Sequence, residues 1–402
     1  MANVSSSNGI EKYPKLRFPE FTDPWETTQL CNLFSKNTQK NSKGTVTNVI
    51  SNSAKNGLIP QKDYFDKDIA NADNTAGYYI ISKNDFVYNP RKSTDAPYGP
   101  ISRYTYDEDG IVSPLYLCFR GNHSVNPKYF ERFFKSSVWH RYIYMSGDSG
   151  ARHDRVSVKD ETFFEMPIHL PGDAEQKRIA EFLSLIEQKI ECQSALVENL
   201  KKYKRGLLQA IFSREVLLEN STCWERRLFN EIASLNKGKY SPKQDEVLPC
   251  IELEHLEQQT GQIIGYANSN EQNSVKSVFH KGDVLFGKLR PYLRKFALPE
   301  YDGVCSSEIW VFHPEHDINS TFLFYLIQSE SFIAAANISS GTKMPRAEWS
   351  KVSNESFFIP ELSEQKRIAD LFGSIDKRIV NASRSANEMQ SLKQGLLQQL
   401  FI

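Results

Sequence analysis

Two segments of the chain, residues 175–212 and 364–401, carry apolar side chains at a mean spacing of 3.5 residues. Eight of the ten seam positions that start at Ile179 are apolar, and nine of the ten that start at Ile368 are apolar. This spacing is typical of helices that bury one face in a coiled coil. Each segment also begins a few residues after a proline, which suits a helix start. The pattern therefore predicts two long helices.

The two segments are copies of one another. The runs E-Q-K-R-I-A and G-L-L-Q of the first segment recur 189 positions later, and 15 of 38 aligned positions are identical without a gap. Lys204 and Lys393 interrupt the apolar seam at equivalent positions. Such a lysine could fix the register of the helices, or it could extend its ammonium group to the edge of the seam. The sequence leaves both interpretations open.

Outside these segments, short strand-like runs alternate with amphipathic helical runs. Runs rich in β-branched and aromatic residues predict strands at 78–89, 110–119, 283–289 and 303–312. Helical spacing predicts amphipathic helices at 128–143 and 321–336. Each globular region contains both kinds of element. We therefore predict an α+β fold class, with a curved sheet in each globular region.

The two globular regions repeat each other only faintly. The matching stretches are Trp25-Glu26 with Trp224-Glu225, 83–88 with 281–286, and a Ser-Gly pair followed by a cation at 149–152 and again at 340–343. The helical segments have thus stayed similar while the globular regions have diverged. Two copies of one architecture that differ in their globular parts suggest two related but different binding surfaces.

The order along the chain is globular region, helix, globular region, helix. The predicted boundaries are a disordered N-terminus at 1–14, a first domain at 15–170, a first spacer helix at 171–213, a second domain at 214–359 and a second spacer helix at 360–402. Similar helices bury their seams most simply against each other. If they pack as an antiparallel coiled coil, a pseudo-two-fold axis places one globular domain at each end.

Composition neither favours nor excludes a nucleic-acid partner. The 402 residues include 49 Lys and Arg and 49 Asp and Glu, so the net charge is zero and any DNA-binding face must come from local clustering. The six cysteines are scattered without a C-x-x-C pair, which favours reduced thiols over disulfides or zinc. With no membrane-length apolar run and no apolar signal core, we expect a cytoplasmic protein that does not contact a membrane.

Basic and aromatic side chains cluster in a few loops, and these are the candidate DNA contacts. In the second globular region they are Lys288, Arg290, Tyr292, Arg294 and Lys295, together with Lys343 and Arg346. In the first region they are Arg91, Lys92, Arg103, Tyr104, Arg152 and Arg155. Arginine can bind a guanine edge through two hydrogen bonds, whereas lysine mainly neutralises phosphate. The alternative is that these are ordinary solvated charged loops.

Three motifs resemble catalytic sites but lack an essential part. Residues 282–288 fit G-x-x-x-x-G-K, yet Leu289 stands where a phosphate-binding loop has Ser or Thr. Residues 126–129, N-P-K-Y, lack the second proline of an adenine-methyltransferase loop. His153, and His313 near His316, have no spaced third metal ligand. We therefore expect no catalytic residues, no cofactor and no metal.

The repeated blocks, each closing a globular region that opens near W-E, resemble the specificity subunit of type I restriction–modification systems. The resemblance covers the chain from about residue 15 onward, and K-G-D-V-L-F-x-K-L-R-P-Y at 281–292 adds to it. It implies a non-catalytic subunit that reads double-stranded DNA. It also implies assembly with two methyltransferase subunits, which two motor–nuclease subunits would then join. The first globular region, which lacks the L-R-P-Y run, departs more from the family pattern.

Geometry agrees with a reader of two separated half-sites. A helix of 38 residues is about 57 Å long, and readers on one face of a duplex need about 34 Å between their centres. Since the two regions differ, the target should be bipartite and asymmetric, with an unread gap. Two other classes remain as alternatives: a stand-alone methyltransferase or nuclease with fused recognition domains, and a coiled-coil scaffold without a DNA role.

Overall fold

The structure is a computed structural model that describes residues 2–3, 13–63, 75–147, 154–221, 223–242, 247–338 and 344–402. Most of the N-terminal stretch predicted to be disordered, and the candidate residues Arg152 and Lys343, lie outside the described residues. The chain forms two compact units. The first unit comprises residues 1–193 and 385–402, and the second comprises residues 194–384. The finer domain boundaries given above stay predictions.

Among its described residues, the first unit combines strands with three short α-helices and parts of two long ones. Its strands are β1 Ala2–Asn3, β2 Leu16–Arg17, β3 Glu26–Gln29, β4 Phe34–Lys36, β5 Ile50–Ser53, β6 Gly57–Pro60, β7 Tyr79–Ile81, β8 Phe86–Tyr88, β9 Ile101–Arg103, β10 Gly110–Val112, β11 Leu117–Gly121 and β12 Pro167–Leu170. Its short helices are α1 Pro127–Lys135, α2 His140–Ser146 and α3 Asp160–Phe164, followed by the start of the long helix α4 Asp173–Phe212.

The second unit has the same mixture of elements. Its strands are β13 Glu225–Leu228, β14 Ala233–Leu235, β15 Lys239–Tyr240, β16 Pro249–Ile251, β17 Ala267–Asn268, β18 Lys276–Phe279, β19 Val284–Gly287, β20 Phe296–Ala297, β21 Gly303–Cys305, β22 Ile309–Pro314 and β23 Ser356–Ile359. Its short helices are α5 Phe229–Ile232, α6 Ser320–Leu326, α7 Glu330–Asn337 and α8 Trp349–Val352, before the long helix α9 Leu362–Gln399. The mixed helix and sheet content agrees with the predicted fold class.

The two long helices predicted from the apolar seam are present, with 40 residues in α4 and 38 in α9. Each unit buries the start of one helix together with the end of the other. In the first unit, Ile179 of α4 and Leu396 of α9 lie in one apolar cluster. In the second unit, Ile211 of α4 and Ile368 of α9 do the same. The first unit is therefore built from two separate parts of the sequence, whereas the second is one continuous stretch.

Each unit contains one four-stranded antiparallel sheet that supports its loops. In the first unit the strand order is β4-β11-β8-β9, and in the second it is β14-β22-β19-β20. Phe86 and Phe119, on the two central strands of the first sheet, pack against Phe134 of α1. The second unit also has a five-stranded sheet, of order β15-β18-β21-β16-β17. Large aromatic side chains on one face of each four-stranded sheet thus fix its covering helices.

The predicted helices at 128–143 and 321–336 were wrong in one respect, because each is two helices. Ser136 ends α1 with extended backbone, and its hydroxyl donates to the Phe133 carbonyl oxygen at 2.6 Å. Ser329 begins α7, and its hydroxyl accepts from the Phe332 amide at 3.3 Å. Serine side chains compete for backbone hydrogen bonds in this way and break a helix that apolar spacing alone would continue.

The predicted strand at 78–89 is likewise two strands, because a tight turn separates β7 from β8. Asn84 has a φ of 73°, and Gly282 has a φ of 94° in the equivalent turn before β19. The buried Asp85 and Asp283 that follow accept backbone amide hydrogens, from residues 82 and 280 respectively, each at 2.8 Å. The faint repeat between 83–88 and 281–286 therefore encodes a turn that starts a central strand.

The repeated Glu-Gln pair fastens the start of each long helix to its globular part. Glu175 is buried and accepts two hydrogen bonds from Arg17, at 2.8 and 2.7 Å, and one from Trp25 Nε1 at 3.2 Å. In the second unit, the buried Glu364 accepts from the Ser221 hydroxyl at 2.6 Å. These contacts within the chain explain the repeated Glu-Gln pair without a catalytic role for it.

Replacing Glu175 with alanine should lower the free energy of unfolding by about 3–5 kcal/mol, because it leaves the buried Arg17 guanidinium without its carboxylate. Urea denaturation measures the change. Glu181→Ala, on an exposed position of the same helix, is the matched control and should stay within about 0.5 kcal/mol of the parent. Equal losses in the two variants would contradict the assigned role of Glu175.

Candidate nucleic-acid interface

The loop at 288–295 leaves the central strand β19 and is held in an uncommon backbone conformation. Arg290 and Arg294 have φ values of 53° and 52°, in the left-handed region. The Gly287 amide donates to the Lys295 carbonyl oxygen at 2.8 Å, which closes the loop at its base. Non-glycine residues in this region store about 1–3 kcal/mol of strain each, and such strain is concentrated at functional sites. The loop at 288–295 therefore has a defined backbone conformation.

A second basic segment, residues 344–347, lies directly against this loop. The Arg290 amide donates to the Pro345 carbonyl oxygen at 2.8 Å, and the Ala347 amide donates to the Lys288 carbonyl oxygen at 2.8 Å. Leu289 and Arg346 form an antiparallel bridge between these two bonds. The fold therefore brings together two basic segments that are far apart in the sequence. We call residues 288–295 and 344–347 the paired loops.

The side chains of the paired loops fall into two groups. Arg290 is exposed, Tyr292 is 51% exposed, and Arg346 is half exposed while its Nε donates to Glu308 Oε2 at 3.0 Å. Arg294 is instead ion-paired with Glu330, and Lys295 Nζ donates to the Leu253 carbonyl oxygen at 2.5 Å. Within the part of the chain that the structure describes, the Arg290 guanidinium makes no hydrogen bond or ion pair. Arg290 and Tyr292 are therefore available to meet a ligand, and Arg346 keeps about half of its side chain exposed beside its ion pair with Glu308.

A third segment, residues 257–262, joins the paired loops and was not identified from the sequence. Gln258 forms an antiparallel bridge with Lys295, and the Gln259 amide donates to the Arg294 carbonyl oxygen at 2.9 Å. The Gln258 side chain is exposed, and glutamine can make two hydrogen bonds to an adenine edge. The signal in the sequence was the run E-Q-Q-T-G-Q, in which a turn residue stands among several amides.

The first unit repeats this arrangement with other residues. Arg91 and Arg155 form an antiparallel bridge, the Lys92 amide donates to the Asp154 carbonyl oxygen at 2.9 Å, and the Val156 amide donates to the Pro90 carbonyl oxygen at 2.8 Å. As in the second unit, the segment after a central strand pairs with the segment before a short helix. Beside it lies a groove of about 580 Å³ whose lining includes Arg91, Lys92, Arg155 and Tyr116. Burial raises the pKa of Tyr116, and the two arginines act against that shift.

Two other candidates in the first unit are occupied with internal contacts. Tyr104 is fully buried and its hydroxyl donates to the Glu108 carbonyl oxygen at 2.8 Å, so it has no surface to offer to a ligand. Burial raises the pKa of this hydroxyl to about 12. Arg103 pairs with Glu131 at 2.7 Å and donates to Asn84 at 2.9 Å. Tyr104 is therefore a core residue, and Arg103 is part of a structural ion-pair network.

Local structure explains the three motifs that resemble catalytic sites. Residues 284–287 of the G-x-x-x-x-G-K match form the buried strand β19, which cannot wrap a phosphate. Asn126 caps α1, accepting from the amides of residues 128 and 129 at 3.1 and 3.2 Å. His313 Nδ1 lies 2.8 Å from Asp283 Oδ1, while His153 lies outside the described residues. Among the described residues there is no group of three metal-ligating side chains, and no helix is long and apolar enough to span a membrane.

A family model matches most of the chain. The family model for the type I restriction modification DNA specificity domain matches residues 24–202 and again residues 223–389. The chain belongs to this family. The two matches together cover most of the sequence, and each includes one set of paired segments and the greater part of one copy of the helical repeat.

Two relatives of the chain are named as specificity subunits of type I restriction enzymes. The specificity subunit of the type I restriction enzyme EcoDI from Escherichia coli is 25% identical over 59% of this chain and 62% of its own length. That of MjaVIII from Methanocaldococcus jannaschii is 26% identical over 61% and 63%. Both matches thus span less than two thirds of the relative.

Solved structures share the fold at low sequence identity. The HsdS subunit from Thermoanaerobacter tengcongensis has a TM-score of 0.52 at 17% identity, covering 96% of this chain and 98% of that one. The type I S subunit from M. genitalium has a TM-score of 0.54 at 14% identity, covering 97% and 99%. A chain from a structure of type I restriction–modification complex assembly has a TM-score of 0.58 at 16% identity, covering 94% and 97%.

Proposed function

We propose that this chain is the DNA-reading subunit of a type I restriction–modification enzyme and carries no catalytic chemistry of its own. The observation that supports this most directly is the pair of basic segments hydrogen-bonded at corresponding places in both units. Each unit offers exposed cations on a strand-anchored loop, and the loops differ in sequence. The assigned partners are double-stranded DNA, two methyltransferase subunits and two motor–nuclease subunits, as the resemblance implies.

The proposed contacts follow from the chemistry of the exposed side chains. In the second unit, Arg290 and Arg346 can each bind a guanine edge, while Tyr292 can pack against the sugar–phosphate backbone. Lys288 contributes positive charge, whereas Arg294 and Lys295 hold the loop in shape. In the first unit, Arg91, Lys92 and Arg155 form the corresponding surface. A preorganised loop loses little conformational entropy on binding, so its affinity for DNA is reduced little by an ordering cost.

The long helices are proposed to pack as an antiparallel coiled coil that measures the distance between half-sites. Support comes from each unit taken separately, because each buries the start of one helix against the end of the other. Parallel helices would instead bring the two starts together. A pseudo-two-fold arrangement then follows, and the two different readers recognise a bipartite, asymmetric target. The repeat also offers two equivalent surfaces, one for each methyltransferase subunit.

Methyl transfer to DNA should require a partner. The purified chain alone should transfer no methyl groups from S-adenosylmethionine to DNA, and adding a type I methyltransferase subunit should produce adenine methylation at a bipartite site. Radiolabelled methyl transfer followed by sequencing of the modified sites measures both. Methylation by the chain alone would favour the fused-enzyme alternative. A partner complex that binds no DNA would favour the scaffold alternative.

Arg290→Ala should weaken specific DNA binding by about 1–3 kcal/mol if the guanidinium reads a base edge. The loss should relax the half-site read by the second unit and leave the other half-site unchanged. Binding of the methyltransferase complex to a panel of singly altered sites measures this. Lys351→Ala, an exposed cation on α8 of the same unit, is the matched control. Equal weakening on every sequence would assign Arg290 to a phosphate, and unchanged binding would contradict the site.

Lengthening both helices should lengthen the unread gap. Four residues inserted after Glu191 and four after Val380 extend each helix by about 6 Å. Since one base pair rises ~3.4 Å, the preferred gap should grow by about one to two base pairs. The two half-site sequences serve as the internal control, because their readers lie outside the insertions. A folded, active variant with an unchanged gap would show that the helices do not set the spacing.

A further inference from the structure

A buried ion pair lies in the apolar seam of the second unit. Lys204 is 6% exposed, and its ammonium group lies 2.7 and 2.9 Å from the two carboxylate oxygens of Asp376. The Tyr325 hydroxyl of α6 donates to the same carboxylate at 2.8 Å, and the Lys204 ammonium lies 5.2 Å from the Tyr325 ring centroid. Lys204 therefore does not extend to solvent at the edge of the seam. It joins the end of α4, the start of α9 and the short helix α6.

The first unit contains the equivalent ion pair. Lys393 Nζ lies 2.6 Å from Glu187 Oε1, and these side chains are 15% and 17% exposed. Glu187 also pairs with Arg132 of α1, whose side chain is 8% exposed. Three elements meet again: the end of α9, the start of α4 and the short helix α1. We call the contacts of Lys204, Asp376 and Tyr325, and those of Lys393, Glu187 and Arg132, the two lysine junctions.

The two junctions are related by the internal repeat. Glu187 and Asp376 are 189 positions apart, and so are Lys204 and Lys393. Each lysine from the end of one helix therefore meets the carboxylate from the start of the other. Among the described residues, the ion pairs of Arg227 with Asp317 and of Arg103 with Glu131 join elements outside the long helices. Each lysine junction instead joins both long helices and one short helix.

An apolar seam alone permits slippage, whereas a buried charge does not. If the helices slid by one heptad, Lys204 would lie opposite Ala369 or Ser383, and Lys393 would lie opposite Ala180 or Ser194. A buried ammonium group without its carboxylate is strongly unfavourable, while the apolar contacts would largely be replaced by similar ones. Burial lowers the pKa of Lys204, and the carboxylate of Asp376 acts against this shift.

We propose that the two lysine junctions are positioning elements that fix the register of α4 against α9 and tie it to each reading domain. They would thereby set the length of the unread gap in the DNA target. The effect on the DNA gap rests on the proposed function, whereas the effect on helix register does not. It also explains why the paired insertions after residues 191 and 380 should be tolerated, since both insertions fall between the two junctions.

The test uses charge reversal with rescue in the full chain bound to its methyltransferase partner. Lys204→Glu should reduce the preference for the parent gap length by about tenfold, the factor that corresponds to ~1.4 kcal/mol, without changing either half-site sequence. Lys204→Glu combined with Asp376→Lys should restore the parent gap. Lys202→Glu makes the same charge change at an exposed position two residues away and should leave the gap unchanged. Sequencing of methylated sites from a random-spacer library gives the gap distribution.

A second measurement reports the register without DNA. Spin labels at positions 199 and 381, in a chain whose exposed cysteines are replaced by serine, should give one distance in the parent. A broadened distribution, or one displaced by up to about 10 Å for a heptad slip, is expected in Lys204→Glu. If that variant does not fold, the neutral pair Lys204→Met with Asp376→Asn keeps the packing and replaces it in both measurements.

The outcomes separate the two claims. An unchanged label distance together with an unchanged gap in a folded variant would overturn the proposal. A changed label distance with an unchanged gap would overturn its consequence for DNA. If the parent complex selects no bipartite site while the label distance still changes, the proposed function fails and the register assignment stands.

Discussion

The structure depends on burying two apolar seams that are each too long for one globular part to cover. The seam of α4 starts among the core residues of the first unit and ends among those of the second. Because an exposed apolar seam is unfavourable in water, the start of each long helix is buried in one unit together with the end of the other helix. We call each globular region together with the long helix that follows it one half of the chain. The core of each unit contains residues from the long helix of the other half, so neither half contains all of its own core.

Where the two halves remain alike, the residues serve this shared scaffold. Glu175 and Glu364 are buried at the helix starts, and Asp85 and Asp283 shape the turns before the central strands. Such residues have many partners, so a substitution would leave buried polar groups unsatisfied. The loops after those strands have fewer such constraints: backbone hydrogen bonds pair them, and in the second unit Arg294 and Lys295 bind within the fold. Divergence in the loops can therefore change the surface proposed to contact DNA without disturbing how the chain folds.

The sequence predicted the elements that a periodic spacing of apolar residues determines. It missed the features that depend on one local hydrogen bond or on pairing between distant segments. The 3.5-residue seam identified both long helices, because helix periodicity acts over many residues. It did not show that Ser136 and Ser329 divide the shorter helices, because apolar spacing does not report a hydrogen bond between one serine hydroxyl and the backbone. The basic loops were located, but their pairing joins residues more than fifty positions apart. Tyr104 was selected for its type, and only its burial shows that it belongs to the core.

Duplication of the scaffold with divergence of the loops leaves the two units alike in their sheets and unlike in one connection. The four-stranded sheets correspond. The second sheets correspond as well, because bridges between residues 40 and 79 and between residues 49 and 111 link the pairs β7–β10 and β5–β6 of the first unit in the order of the five-stranded sheet. The connection between β5 and β6 has three residues, 54–56, whereas the connection between β16 and β17 has fifteen, 252–266, and carries Gln258. The second unit thus has an additional segment beside its paired loops. Under the proposed function, two surfaces that differ in both backbone and side chains would read unlike half-sites.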